Sequence, residues 1–97
     1  MSSPKVYSGK RTIDGLVVTV NGDPLDERFD IEVYDDKGFE WSYDGSAPRQ
    51  LALAILADYL GDADKARRHV DRFTTAVVAN LDNDWTLDGD EIDKVLA

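Results

Sequence analysis

The run Leu51–Leu60, LALAILADYL, constrains the fold of this chain more than any other stretch. Asp58 is its only charged residue, and Ala and Leu, both strong helix formers, dominate it. Ser46 is placed to cap a helix, and Pro48 suits the first turn, where a missing N–H costs nothing. Gly61 can close the far end in a left-handed conformation. The expected helix has about four turns and is apolar almost all round, so it must be buried on several sides. It is too short for a bilayer, which needs about 20 apolar residues. The rest of the chain has to cover it.

The residues before it read as strands and tight turns. Asp14-Gly15 and Asn21-Gly22 are both preferred two-residue hairpin turns. The first sets Ile13 opposite Leu16 and the second sets Val18 opposite Leu25. Ile13, Leu16, Val18, Val20 and Leu25 then share one face, as a half-buried sheet requires. Pro24 cannot donate to a ladder, so that segment is expected to be short and at an edge. Further on, Phe29, Ile31 and Val33 alternate with polar residues, and so do Phe39, Trp41 and Tyr43. A three-residue loop, Asp36-Lys37-Gly38, keeps core opposite core by pairing Val33 with Trp41 and Ile31 with Tyr43. Asp30, Glu32 and Glu40 would line the opposite face of that hairpin.

Beyond Gly61, Asp62 can cap a second helix on which Ala66, Val70, Phe73, Val77 and Leu81 form a continuous stripe. Asn80–Asp84 reads as a loop anchored by Trp85 and Leu87. Asp88 followed by Glu91 is a capping box for a short last helix with Ile92, Val95 and Leu96 as its apolar face. Strands first and helices after predict an α+β domain. Its expected form is an antiparallel meander of about four strands, packed on one face by two main helices and a short C-terminal one. A single domain over residues 1–97 is expected, with 1–5 frayed.

Charge is the strongest compositional signal. Twenty acidic residues against eleven basic ones give a formal charge of −9, and the acids are 16 Asp and 4 Glu. Such a chain repels itself in dilute buffer, and molar salt screens that repulsion by shortening the Debye length to about 3 Å. Scarce Lys with Asp far above Glu resembles the proteins of halophiles that accumulate salt inside the cell. MSSPKVYSGK lacks the apolar core of a secretion signal, so a cytoplasmic protein is expected, with no membrane contact. The absence of cysteine excludes disulfides and thiolate metal sites, and His69 as the only histidine excludes a multi-histidine cluster within one chain. No metal site and no cofactor is expected.

Three features invite a functional reading. Lys65, Arg68, His69 and Arg72 fall on one solvent-side stripe of the second helix, where they could hold phosphate or an acidic partner. The competing account is a solvated helix with Asp64–Arg68 and Arg67–Asp71 pairs at i,i+4. Asp82–Asp93 approaches a calcium loop in two registers: starting at Asp82 places Leu87 where glycine belongs, and starting at Asp84 places Val95 at the bidentate position. Cation binding there is left open. Phe39, Trp41 and Tyr43 could stack bases, but their shared face with Ile31 and Val33 assigns them to the core. No nucleophile elbow or phosphate-cradling glycine loop accompanies His69.

Several stretches taken together resemble a known family. They are Tyr7–Thr12 with Asp14-Gly15, Val18–Gly22 with Pro24-Leu25, Gly38–Tyr43, Gly45–Pro48, Gln50–Ala54 and Trp85–Leu87. In this order they resemble small prokaryotic and viral proteins grouped as domain of unknown function 6166, over about residues 7–96. The resemblance implies a compact single domain and no particular activity. The expected function is a non-catalytic protein-binding or adaptor module acting through Lys65, Arg68, His69 and Arg72, with another protein as partner and nucleic acid disfavoured. The alternative is a nucleic-acid mimic acting through Asp30, Glu32 and Glu40; an enzyme of unassigned type stands third.

Overall fold

The computed structural model describes residues 5–97, in which eight elements follow one another. Strands β1 (Val6–Thr12), β2 (Gly15–Val20) and β3 (Asp23–Pro24) come first, then helices α1 (Ser46–Leu60) and α2 (Ala63–Ala76). A single 3₁₀ turn (Val78–Asn80), strand β4 (Trp85–Asp88) and helix α3 (Gly89–Leu96) complete the chain. The sheet is antiparallel, with strand order β3-β2-β1-β4. The fold is α+β, four strands and three helices, as expected.

The second turn forms as its sequence dictates. Asn21 and Gly22 both take positive φ, 50° and 88°, which brings the Leu25 N–H within 3.1 Å of the Val18 carbonyl. Proline leaves β3 two residues long at the sheet edge. The first turn is displaced by one residue. Thr12 lies opposite Gly15, so the tip is Ile13-Asp14 and Ile13 is fully exposed instead of joining the core face. Gly15 supplies its positive φ of 119° at the start of β2. The Thr12 hydroxyl accepts from Asp14 N–H and donates to the Gly15 carbonyl, tightening the tip.

The hairpin expected from Phe29 to Tyr43 does not form. Residues 25–44 contain no strand, and the composition alternates there without an alternation in burial. Phe29, Val33 and Tyr43 are exposed, whereas Trp41 is wholly buried. Arg28 and Ser42 adopt positive φ, 59° and 75°, which an extended ladder does not accommodate. The fourth strand is instead Trp85–Asp88, which pairs with the free edge of β1 by setting Tyr7 opposite Leu87 and Gly9 opposite Trp85. Trp85 and Leu87 alternate with Thr86 and Asp88, a period of two in a stretch too short to stand out.

The helices follow the sequence more closely. In α1 every residue from Leu51 to Ala57 is buried, and Gly61 closes it with φ 65°. Each of Leu51, Leu53, Ile55 and Leu56, fully buried, contributes about 1.5–3 kcal/mol. Its N-cap is Gly45; Ser46 lies inside the first turn and donates from Oγ to Asp35 instead of capping. Asp62 caps α2 by accepting from the N–H groups of Asp64 and Lys65. Ala66, Val70 and Phe73 are buried along its inner stripe, with Val77 and Leu81 half-buried beyond. Asp88 and Glu91 form the expected capping box on α3, and Ile92 is buried beneath it.

Three polar contacts tie helix ends to the frame. The Tyr7 hydroxyl donates to the Asp58 carboxylate at 2.6 Å, and Lys5 Nζ reaches the same carboxylate at 3.0 Å. Lys5 is therefore held, not frayed; residues 1–4, expected to fray with it, lie outside the described residues. The Tyr59 hydroxyl donates to Asp93 at 2.8 Å and joins the end of α1 to α3.

Two side chains, Gln50 and Arg11, contribute several of the contacts that hold the irregular segment over 25–44. Gln50, fully buried on α1, donates to the carbonyls of Glu27 (2.7 Å) and Glu32 (3.1 Å) and accepts from the N–H groups of Tyr34 (2.8 Å) and Asp35 (3.3 Å). One amide thus does for four backbone groups what a sheet ladder would otherwise do. Arg11 donates to the Trp41 carbonyl at 3.0 Å, pairs with Glu40 at 2.8 Å, and lies 4.7 Å from the Trp41 ring centre. Trp41 meets Trp85 edge to face at 5.7 Å, completing one continuous core.

Candidate interaction face on the second helix

Asp62 fixes where α2 begins, and the apolar stripe of Ala66, Val70 and Phe73 fixes its rotation. These two facts place Lys65, Arg68 and Arg72 on the exposed side, with His69 half-buried beside them. The stripe read from the sequence is therefore assembled in the structure. Its two ends are seven residues apart, about 10 Å along the axis.

The ion pairs around it differ from the expected i,i+4 set. Arg67 pairs with Asp64 at i,i+3, and Asp71 pairs with Arg49 of α1 at 3.3 Å. Among the described residues Arg68 donates to the Asp64 backbone carbonyl (3.3 Å) and Arg72 to the Ala97 main-chain oxygen (3.3 Å). Among the described residues no Asp or Glu side chain lies within ion-pair distance of Lys65, Arg68 or Arg72. The Asp62 carboxyl sits below the usual carboxylate range, chiefly because it accepts the Lys65 N–H, with the charges of Lys65 and Arg68 adding to the effect. Asp64, Arg67 and Arg68 line a shallow depression at the N-terminal end of the stripe.

The hairpin expected to set Asp30, Glu32 and Glu40 on one face does not form. Asp30 is paired with Arg28 at 3.0 Å, and Glu40 is half-buried against Arg11. The carboxyls of both are held below their usual range, in each case mainly by that arginine's hydrogen bond. Glu32 alone of the three is exposed without an ion pair among the described residues.

Asp82–Asp93 is not a loop over most of its length: it enters β4 at Trp85 and α3 at Gly89. Among the described residues no group of three or more His, Cys, Asp or Glu is arranged to hold a metal ion. Phe39, Trp41 and Tyr43 do not share a face. Trp41 is wholly buried, Phe39 half-buried and Tyr43 exposed, so only Trp41 fully meets the core assignment.

Two residues central to this arrangement, Arg11 and Gln50, were not singled out by the sequence. Gln50 carried a readable signal: it precedes a run buried on all sides, so its amide had to be buried and satisfied. Arg11 carried none, because its partners Glu40, Trp41 and Asn83 are remote in sequence.

Comparison with known proteins bears on nearly all of the described chain. The sequence model of a family of unknown function (DUF6166) matches residues 7–97. No curated protein and no solved structure matches the chain.

Proposed function

The chain belongs to this family of unknown function, and from that premise we propose that it is a non-catalytic protein-binding module that presents α2 to an acidic partner protein. The observation that supports this reading is that, among the described residues, no Asp or Glu side chain pairs with Lys65, Arg68 or Arg72. Acids outnumber bases by twenty to eleven in this chain. A surface so rich in carboxylates has ample means to neutralise three cations on one helix, yet no Asp or Glu side chain does so within ion-pair distance among the described residues.

A partner with carboxylates at a matching helical spacing would meet Lys65, Arg68 and Arg72 in turn, with His69 between them. Arginine suits this role because its planar fork can hold a carboxylate with two parallel hydrogen bonds. The proposed setting is a salt-rich cytoplasm, where long-range attraction is screened and direct contact pairs carry the interaction. Nucleic-acid phosphate is the weaker match there, since that binding falls steeply with salt.

Capture from native lysate in about 1 M KCl, where the Debye length is about 3 Å, tests the reading. The bait is compared with Arg68→Glu/Arg72→Glu. Once the partner is purified, the double variant is expected to bind at least about 30-fold more weakly, because like charges then face each other. Equal binding by both forms would remove α2 as the interface.

A further inference from the structure

We propose that the cleft between β2 and the loop 37–39 is a binding site for a small zwitterion with an apolar body, such as a free aliphatic α-amino acid. The cleft has a volume of about 280 Å³ and is lined by Leu16, Val18, Glu27, Lys37, Gly38 and Phe39. β3 pairs only with Thr19 and Val20 of β2, and at Leu16 and Val18 the cleft is shared with Glu27, Lys37, Gly38 and Phe39 of the irregular segment. Leu16 is left half-exposed on its floor, beside Val18 and the half-buried Phe39.

The rim is preformed. Gln50 holds the Glu27 carbonyl at 2.7 Å, and Asp35 accepts the Lys37 N–H at 2.8 Å. The backbone of each rim residue is therefore fixed by a contact that leaves its side chain free. Among the described residues neither Glu27 nor Lys37 takes part in an ion pair, although they carry opposite charges on one cleft. Ligand pockets set a few placed polar groups beside apolar surface, and this cleft sets Glu27 and Lys37 beside Leu16, Val18 and Phe39. The volume falls just below the roughly 300–1,000 Å³ of sites for drug-sized molecules, which selects a smaller ligand. An ammonium facing Glu27, a carboxylate facing Lys37 and an aliphatic body on Leu16, Val18 and Phe39 use the five lining side chains, Gly38 having none. A ligand with one charge leaves one rim charge without a counterpart.

Methyl NMR of the full chain tests this by following Leu16 and Val18 during titration with L-leucine. A saturable shift with a Kd of about 1 mM or tighter is expected, read with ligand up to about 10 mM. Leucine lacking its carboxylate (3-methylbutylamine) and leucine lacking its amine (4-methylpentanoate) are each expected to bind at least about tenfold more weakly. Glycine, which has no aliphatic body, is expected to give no saturable shift. Lys37→Glu, a change at an exposed side chain, is expected to weaken leucine by a similar factor. No saturable shift with leucine overturns the proposal. Either single-charge analogue binding as well as leucine also overturns it, and so does unchanged leucine binding by Lys37→Glu.

Discussion

Gln50 shows how much one side chain can organise. Its amide uses both donors and its acceptor on residues 27–35, a stretch with no regular structure of its own. Gln50→Ala orphans two carbonyls and two N–H groups, and a loss of about 2–4 kcal/mol in urea unfolding is expected. Gln50→Glu separates shape from chemistry. The carboxylate fills the same space but cannot donate to Glu27 and Glu32, so it is expected to destabilise at least as much as alanine. A tolerated glutamate would show that packing, not hydrogen bonding, holds this segment.

Glu40 gives a pH dependence of definite sign. Its carboxyl is held below the ordinary range, first by the Arg11 hydrogen bond and despite partial burial. A carboxylate depressed in the folded state stabilises fully above its unfolded pKa of about 4.3, and that contribution is lost as pH falls through the folded value. Stability measured in about 1 M KCl, to mute long-range repulsion, is expected to fall as the solution is acidified below that value. Glu40→Gln is expected to fall less steeply, since position 40 no longer titrates. Parallel pH profiles for the two proteins would mean that the Arg11 pair contributes nothing to the slope.

At the level of elements, β1 decides the architecture. It lies between β2 and β4, and Gly9 is where it passes directly beneath Trp85. A methyl at position 9 would overlap the indole, which is itself wedged against Trp41. Gly9→Ala is therefore expected to cost about 1–3 kcal/mol through overpacking. Ser8→Ala, at the neighbouring half-buried position, serves as the control and is expected to stay within about 0.5 kcal/mol. Equal effects at both positions in denaturant unfolding would show that Trp85 can move aside without penalty.

For the whole molecule, the net charge of −9 dominates. Among the described residues five ion pairs are present, all at least partly exposed, so they offset little of the self-repulsion. Unfolding free energy is expected to rise across a KCl series from about 0.1 M, where the Debye length is about 10 Å, to about 1 M, where it is about 3 Å. Full stability already present in dilute buffer would sink the halophile reading.

By itself the sequence determined the features that depend on neighbours along the chain. These were the burial of α1, the Asp62 and Asp88 caps, the Asn21-Gly22 turn, and the side of α2 that faces solvent. Each is governed by residues within about one helical turn, where propensity, capping and periodicity act directly. Only the tertiary structure decided which segment became the fourth strand. Residues 29–43 have the alternation of a hairpin, but Gln50 and Arg11 take backbone groups of Glu32, Tyr34, Asp35 and Trp41, and of the apolar residues there only Trp41 is wholly buried. The vacant edge of β1 is then filled by Trp85–Asp88, a strand too short to be recognised by its pattern. The hairpin expected to carry Asp30, Glu32 and Glu40 on one face is absent for the same reason. Strand pairing is a competition for backbone partners across the whole chain, and local alternation does not record who wins.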